Sequence, residues 1–534
     1  MKRYSIIINF LLPLLCLNLF WMGSLLEKRE YFYPSSLVVY LIFYIHALYL
    51  IFLYSGYAKN VKRIVGVNVG IYILLNIFLI LSEMIYTSLK IQVNIDLILY
   101  YLANYSVLNS DSSIIFKTMS ELFYIRVLFS FFLYFILLTY VYRFLKTVDL
   151  QKKGPVYLLY IQFFILLLFY LLYLPRTPAR EVKHREYASD SNVSIPFEIS
   201  KKYNILLFLL EGVSEKSFRE SKGNLFVDWV RAEHFFIPIP HSTSSIYSLL
   251  TGRISEWKTK PEYKKYYRQY NFIKLYKQDG YNTRFIFSGK KRFENLDKML
   301  SYFEIAVYDE AYIRKQLSKE YKTFTWGIED KALLDCSEHF YKRTKEPFLH
   351  ILYFTNTHSP YFNPEPDRFY RRDNSKDKDR YLNIIEYDIK LIQEIIRLTE
   401  SYYPQKTIYL ILSDHGESFG EQGFYKHGFS LFNSEIKVPF YLKYPENKTH
   451  TNFHSGTILD VFPTLLSIQK KTIYFQQEGR SLYDKNYSLK LKLHSWGSKD
   501  YSGIIENSKK IIYHDLSGKK WETDLDETEI IESP

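Results

Sequence analysis

Residues 407–417 read TIYLILSDHGE, an unbroken apolar run that ends in Ser413, Asp414 and His415. A run of this length and composition is typical of a strand buried on both faces, as in the middle of a parallel sheet. Open α/β sheets bind their ligands at the carboxyl ends of such strands. A carboxylate and an imidazole side by side at that end form a donor pair that suits zinc or manganese. The alternative is a loop in which Asp414 forms a local turn beside a solvated histidine.

Similar apolar runs alternate with helical patterns through the second part of the chain. The predicted strands are Asn204–Leu210, Thr283–Phe287, Phe348–Phe354 and Thr407–Leu412. Apolar residues three and four positions apart predict helices at Phe272–Gln278, Lys331–Lys345 and Arg380–Thr399. This alternation predicts an α/β domain with a mostly parallel sheet sandwiched by helices. After about residue 470 the signals weaken, and the acidic tail after Trp521 is expected to be a solvated end.

The composition of the chain changes near residue 175, and five long apolar runs precede that point. Crossing a bilayer takes about 20 apolar residues, and each run is long enough. The runs lie near residues 5–26, 35–56, 65–88, 123–142 and 156–174. The sequence therefore predicts a transmembrane domain with five helices at residues 1–175, a linker at 176–202 and an extracytoplasmic catalytic domain at 203–534.

The basic residues of the first part indicate its orientation. They concentrate before the first run, after the second and after the fourth, and the positive-inside rule places these segments in the cytoplasm. With five spans, the rest of the chain lies on the outer face of the inner or plasma membrane. The net charge of +13 fits a protein that lies against anionic lipid headgroups. A nucleic acid partner is not expected, because no recognition motif accompanies the charge.

Two further groups of candidate residues come early in the outer domain. Glu211 directly follows the run Ile205–Leu210, as Asp414 follows its own run, although a capping or surface glutamate is the alternative. Residues 240–253 read PHSTSSIYSLLTGR, a cluster of hydroxyls that opens a short helix ended by Gly252. Backbone N–H groups at a helix start attract anions. A Ser or Thr there is either an N-cap or a nucleophile.

Two histidines complete the candidate set. His358 stands in the segment THSPY and His427 in the segment KHG. Either could be a surface imidazole. Together at a metal-assisted phosphoryl site they would suit binding of substrate oxyanions, protonation of a leaving group or a second metal.

The order of these motifs resembles the alkaline phosphatase/sulfatase superfamily over about residues 203–466. The segments that carry the resemblance are Glu211, Leu249–Gly252, Phe287–Gly289, Trp326–Asp330, Thr357–Tyr361, Ser413–Glu417, Lys426–Gly428 and Val438–Phe440. Within the superfamily, five spans before an outer domain look like the membrane-anchored phosphoethanolamine transferases and the lipoteichoic acid synthases.

The resemblance implies roles for the candidate residues. Glu211, Asp414 and His415 would bind a divalent metal, which is zinc in the transferases and manganese in the synthases, and zinc is favoured here. The nucleophile would be the fourth ligand. The sulfatase spacing back from Leu249 puts it on Ser242, whereas the residue type of the transferases points to Thr243, and both stay open. His358 and His427 fall where the family has substrate-binding histidines.

Two departures from family patterns bear on the substrate. Where sulfatases have Pro and Arg after the residue converted to formylglycine, this chain has Ser244 and Ile246, and a single Glu211 replaces paired aspartates. Sulfate ester hydrolysis is therefore disfavoured. Lipid A phosphoethanolamine transferases usually carry disulfides in the outer domain, which Cys336 alone cannot supply, so the acceptor stays open.

Taken together, the sequence and the resemblance predict a metal-dependent enzyme that transfers a phospho-alcohol group. The first hypothesis is phosphoethanolamine, moved from a phospholipid donor to a cell-envelope glycan or lipid through a covalent Ser or Thr intermediate. The alternatives are a glycerophosphate transferase of the lipoteichoic acid synthase type, a membrane-bound sulfatase or phosphodiesterase, and a scaffold without activity. The intact Glu211, Asp414 and His415 argue against the scaffold.

Overall fold

The structure is a computed structural model of the chain. It describes residues 200–254, 271–290, 296–324, 326–368, 372–446, 452–469, 478–496, 501–506, 508–515 and 517–533. The five predicted membrane spans and nearly all of the predicted linker lie outside these ranges. Within these ranges, none of the helices has both the length and the apolar character that crossing a membrane requires.

Strands and helices alternate along the described chain. The strands are β1 (Asn204–Leu210), β2 (Val230–Phe236), β3 (Asn282–Phe287), β4 (Ala306–Tyr308), β5 (Thr323–Phe324), β6 (Gly327–Ile328), β7 (Phe348–Phe354), β8 (Thr407–Ser413), β9 (Ser418–Phe419), β10 (Tyr425–Lys426), β11 (Phe440–Lys443), β12 (Phe453–Thr457), β13 (Lys490–His494), β14 (Tyr501–Glu506), β15 (Lys509–His514), β16 (Lys520–Asp524) and β17 (Ile530–Ser533). The helices are α1 (Glu215–Glu220), α2 (Ser242–Thr251), α3 (Phe272–Gln278), α4 (Leu296–Tyr302), α5 (Glu310–Leu317), α6 (Lys331–Tyr341), α7 (Asp377–Tyr402), α8 (Asn433–Ile436) and α9 (Val461–Ile468).

The main sheet has eight strands in the order β12–β2–β11–β8–β1–β7–β3–β4. Strand β11 runs antiparallel to both of its neighbours. The other neighbouring pairs are parallel. Every residue of β1, β7 and β8 is buried, which accounts for their unbroken apolar runs. The prediction of an α/β domain with a mostly parallel sheet is confirmed.

The register of the three central strands fixes where their ends lie. Leu210 at the end of β1 pairs with Phe354 of β7 on one side and with Ser413 of β8 on the other. The residues that follow these three strands therefore leave the sheet at one level. This level is the carboxyl edge, where ligands of open α/β sheets bind.

Helices α6 and α7 cover one face of this sheet. Side chains from both helices join the strand residues in one apolar cluster, which includes Phe208, Leu352, Ile411, Leu333 and Ile392. Helix α6 ends at Tyr341, four residues before the predicted end, and β7 begins soon afterwards. Pro347 directly precedes β7, and the residue before a proline disfavours helical geometry. Cys336 of α6 is buried and forms no disulfide.

The acidic tail is more ordered than the sequence predicted. Strands β13 to β17 form a five-stranded antiparallel meander, and the tail after Trp521 supplies most of β16 and all of β17. The sequence predicted a solvated end, and the acidic side chains of Asp524, Glu529 and Glu532 are exposed. Lys519, which directly precedes β16, forms an ion pair of 3.1 Å with Glu532.

Candidate metal centre and active site

The carboxyl ends of β1 and β8 bring the two predicted acidic residues together. Glu211 is 3% exposed, and Asp414 and His415 are fully buried. The backbone N–H of Glu211 donates to Phe354 O, and that of Asp414 donates to Leu210 O, so the sheet pairing extends to both residues. Gly212 follows with φ of +61°, a left-handed conformation that glycine adopts without strain. Its N–H donates to Asp414 Oδ1 at 2.9 Å.

His415 points one ring nitrogen at these carboxylates. Its Nε2 lies 3.3 Å from Glu211 Oε1 and 3.6 Å from Asp414 Oδ2. Its Nδ1 lies 2.9 Å from the carbonyl oxygen of Gly416. Since a carbonyl only accepts, Nδ1 carries a proton, so Nε2 is the nitrogen that would coordinate a metal once its own proton is lost.

The electrostatics of this group are those of a site that needs a positive charge. Burial alone would lower the pKa of His415, but the Asp414 and Glu211 carboxylates raise it to about 10. Burial and the charge of Glu211 raise the pKa of Asp414 to about 7. Burial also opposes ionisation of Glu211, yet the hydrogen bond and charge of His415 hold the pKa of this glutamate well below its ordinary value. Two carboxylates are thus balanced by one imidazolium, whose proton a divalent cation would replace.

Ser242 brings a hydroxyl to the same point. It is the first residue of α2 and is buried, and its Oγ lies 3.1 Å from His415 Nε2. The same oxygen lies 3.4 Å and 3.2 Å from the two carboxylate oxygens of Glu211. Thr243 is also buried, but successive residues of a helix project about 100° apart. The Ser242 hydroxyl, one of the two that the sequence left open, thus lies against Glu211 and His415.

His427, which the resemblance predicted to bind substrate, lies directly beside the donor group. Its ring centroid is 3.9 Å from that of His415, and Glu211, His415 and His427 each offer a ligand atom within 4.8 Å of the others. Its Nδ1 is 2.6 Å from Glu417 Oε2. Burial and the neighbouring His415 lower the pKa of His427. In the neutral ring, Nδ1 therefore carries the proton and donates to Glu417, and Nε2 is an acceptor.

Glu417 is fixed in turn by Tyr361, whose hydroxyl donates to Oε1 at 2.7 Å. Burial opposes ionisation of Glu417, but His427 holds the pKa of this carboxyl at about 2. His358 lies further out, with its ring centroid 6.2 Å from that of His427 and 4.5 Å from that of Trp326. The two predicted histidines thus differ in position, since His427 adjoins the donor group and His358 lies beyond it.

Tyr353, on β7, is the site residue that the sequence reasoning missed. Its hydroxyl donates to Asp414 Oδ2 at 2.7 Å and also hydrogen-bonds Glu211. Burial, with the charges of Asp414 and Glu211, raises the pKa of Tyr353 well above its ordinary value. A tyrosine inside a strand buried on both faces needs a partner for its hydroxyl, and that signal could have found it.

A divalent cation fits this donor set. Two carboxylates and two imidazole nitrogens provide the mixed oxygen and nitrogen donors that zinc accepts, and manganese is compatible with them. A second group, Glu233, His234 and His454, also has ligand atoms within 4.8 Å of one another. There the Lys437 ammonium lies 3.2 Å from His234 Nδ1, and its charge opposes a bound cation. Of the two groups found in the described part of the chain, the Glu211 group is the better metal site.

Comparison with known proteins agrees with this fold. Residues 227–469 match the sulfatase family model. A protein in the alkaline phosphatase superfamily from Vibrio parahaemolyticus is 17% identical, with a TM-score of 0.50 over 62% of this chain and 82% of that one. The lipoteichoic acid synthase LtaP from Listeria monocytogenes is 15% identical, with a TM-score of 0.50 over 62% of this chain and 86% of that one.

Curated relatives match over a shorter stretch. A sulfatase from Formosa agariphila is 28% identical over 159 residues, which are 28% of this chain and 31% of the relative. The chain thus spans about a third of the length of the curated relatives it matches.

Proposed function

We propose that this chain, which carries a domain of the alkaline phosphatase/sulfatase superfamily, transfers phosphoethanolamine from a phospholipid to a glycan or lipid of the cell envelope. The superfamily comprises hydrolases and transferases. One observation carries the proposal. The Ser242 hydroxyl lies at a helix start, 3.1 Å from His415 Nε2 and 3.2 Å from the nearer oxygen of Glu211. A hydroxyl in that position is placed to act as a nucleophile.

The first step would form a covalent intermediate. Ser242 Oγ gives up its proton to solvent and attacks the phosphorus of the lipid; an Oγ–P bond forms, and the bond from phosphorus to the diacylglycerol oxygen breaks. A divalent cation held by Glu211, Asp414 and His415 would supply Lewis-acid chemistry that lowers the pKa of the hydroxyl. The backbone N–H groups at the start of α2 stabilise negative charge on the phosphoryl oxygens. His358, which lies beyond the donor group, would protonate the leaving oxygen.

The second step would release the group to its acceptor. An acceptor hydroxyl gives up its proton, attacks the same phosphorus, and the Oγ–P bond to Ser242 breaks. His427 suits the deprotonation, because its Nδ1–H is held by Glu417 and its Nε2 is free to accept. Two displacements at one nucleophile predict ping-pong kinetics.

The preference for phosphoryl over sulfuryl transfer is supported by the residues around the nucleophile. The places that direct formylglycine formation in sulfatases hold Ser244 and Ile246 here. Among the described residues, one carboxylate from the end of β1, Glu211, faces the hydroxyl. The predicted membrane spans would confine the domain to the surface that holds its lipid donor.

The test is intact-protein mass spectrometry of the full chain with phosphatidylethanolamine and zinc or manganese. We expect a phosphoethanolamine adduct on the wild type and on Thr243→Ala, and none on Ser242→Ala. If an adduct forms only with phosphatidylglycerol, the transferred group would be glycerophosphate and not phosphoethanolamine. An adduct that persists in Ser242→Ala would show that Ser242 is not the nucleophile. Turnover of a sulfate ester without any adduct would favour a sulfatase.

A further inference from the structure

Tyr353 occupies an unusual position between the two acidic residues of the candidate metal centre. It lies in β7, opposite Leu209 of β1, and its side chain is 3% exposed. Strand β1 separates β7 from β8 in the sheet, yet the Tyr353 hydroxyl reaches Asp414 at the end of β8. The same hydroxyl hydrogen-bonds Glu211 at the end of β1. One phenol therefore connects three strand ends.

The hydrogen bonds of Asp414 show what this contact does. Its Oδ1 accepts from the backbone N–H groups of Gly212 at 2.9 Å and His415 at 2.7 Å. Its Oδ2 accepts from Tyr353 at 2.7 Å and lies 3.6 Å from His415 Nε2. The backbone thus fixes one oxygen, and Tyr353 fixes the oxygen that faces the imidazole. Outer groups that orient metal ligands in this way strengthen metal binding.

We propose that Tyr353 is the positioning residue of the metal centre, which holds Glu211 and Asp414 so that their oxygens converge with His415 Nε2 on one cation. The proposal rests on the metal dependence of the proposed function and is independent of the lipid headgroup. The phenol acts as a neutral donor to the ligands and does not itself coordinate the metal.

The variant Tyr353→Phe removes only the hydroxyl. The ring would keep its contacts with Phe285 and Phe287, whose centroids lie 6.0 Å and 6.4 Å from that of Tyr353. We expect the dissociation constant for zinc, measured on the full chain by competition with a chromophoric chelator, to rise about 10- to 100-fold. An unchanged constant would overturn the proposal.

Tyr276→Phe is the matched control. Tyr276 is fully buried, and its hydroxyl donates to Gln469 Oε1 at 2.7 Å, away from the centre. We expect this control to lose stability, as any buried tyrosine that loses a hydrogen bond would, and to keep the zinc affinity of the wild type. A purely structural role for Tyr353 would give both variants the same small effect on zinc.

One further measurement keeps the proposal open to refutation. A tyrosinate absorption band on addition of zinc to the wild type, lost in Tyr353→Phe, would make Tyr353 a ligand and overturn the proposal. A wild-type chain that binds neither zinc nor manganese would instead refute the metal dependence itself.

Discussion

Two buried acidic centres, Glu435 on one side and the pair Glu211 and Asp414 on the other, are built in opposite ways. Glu435 of α8 is fully buried. Its carboxylate accepts hydrogen bonds from Phe429 N, Ser430 N, Ser430 Oγ and Ser418 Oγ. Glu211 and Asp414 face each other, His415 and a shared tyrosine hydroxyl. The first carboxyl is surrounded by neutral donors, and the second pair by charge.

The surroundings of a buried carboxyl, neutral donors or charged groups, separate a structural acid from a functional one. Burial does not, because all three carboxyls are buried. Neutral donors let Glu435 organise the loop after β10 at a modest electrostatic cost. Glu211 and Asp414 share one imidazole and one tyrosine hydroxyl, and a divalent cation bound there would offset the repulsion between the two carboxylates. Breaking each centre should therefore have different consequences for activity.

The largest expected effect follows Asp414→Asn, which keeps the shape of the side chain and removes its charge. Metal-assisted catalysis contributes several kcal/mol, so transfer activity should fall by about 10³-fold. The metal-free protein should become about 1 kcal/mol more stable, since one member of a repelling pair becomes neutral. Activity assays and urea unfolding with a chelator measure both quantities. A destabilised, still active variant would place Asp414 with Glu435 as a structural acid.

Glu435→Gln should leave the transfer activity unchanged and alter how the stability of the fold depends on pH. Burial raises the pKa of Glu435 from 4.5 to about 7. The folded protein therefore holds this proton more tightly than the unfolded chain. The resulting stability is fully present below pH 4.5 and is lost as the pH rises through about 7. This shift corresponds to on the order of 3 kcal/mol.

In the Glu435→Gln variant this pH dependence should disappear. Urea unfolding of the wild type and the variant at several pH values between 4.5 and 7.5 tests the prediction, and metal-loaded activity at a fixed pH is the control. Parallel stability curves for the two proteins would mean that Glu435 does not titrate in this range.

Zinc should stabilise the wild type and not Glu211→Gln. Binding to the folded state alone contributes about 2.7 kcal/mol when the free metal is at 100 times its dissociation constant. Chelation should remove the effect. If zinc stabilised Glu211→Gln as much as the wild type, the zinc would bind at another site. The next group to test would be Glu233, His234 and His454.

The smallest effect is expected for Glu417→Gln, which joins neither centre directly. Its carboxylate orients His427, and loss of such an outer group typically costs about 10-fold in activity. With the pKa of Glu417 at about 2, the wild type should show no titration of this group between pH 5 and 9. The rate of transfer should be measured over that pH range for Glu417→Gln and for Tyr361→Phe, and Tyr361→Phe should lose less activity. An unchanged rate would mean that His427 needs no orientation.

Sequence alone located the sheet and the donors at its edge because both depend on local pattern. An apolar run that ends in a polar residue marks a strand end wherever the run lies in the chain. The bounds of β1 and β7 were predicted to the residue, and Glu211, Asp414 and His415 follow from those ends. The sequence predicted the exposure of the acidic tail but missed its strands, because their pairing in the meander depends on residues that a linear pattern does not bring together.

Details that depend on helix phase or on distant partners could not be derived in that way. Ser242 and Thr243 are adjacent, so the choice between them depends on how α2 is rotated towards β1. The position of His427 depends on Glu417, and the role of Tyr353 on two strands that it does not belong to. Each of these facts is set by tertiary packing.

The central place of β1 also governs the order in which the domain can assemble. Its partners β7 and β8 come much later in the chain, and Gly212 meets Asp414 across 202 positions. During synthesis, one edge of β1 must stay unpaired until β8 has emerged, which is more than half of the way through the domain. Such open edges favour aggregation and slow folding. A nascent chain released before Thr407 would thus expose one side of β1, and it would depend on chaperones that shield apolar strands.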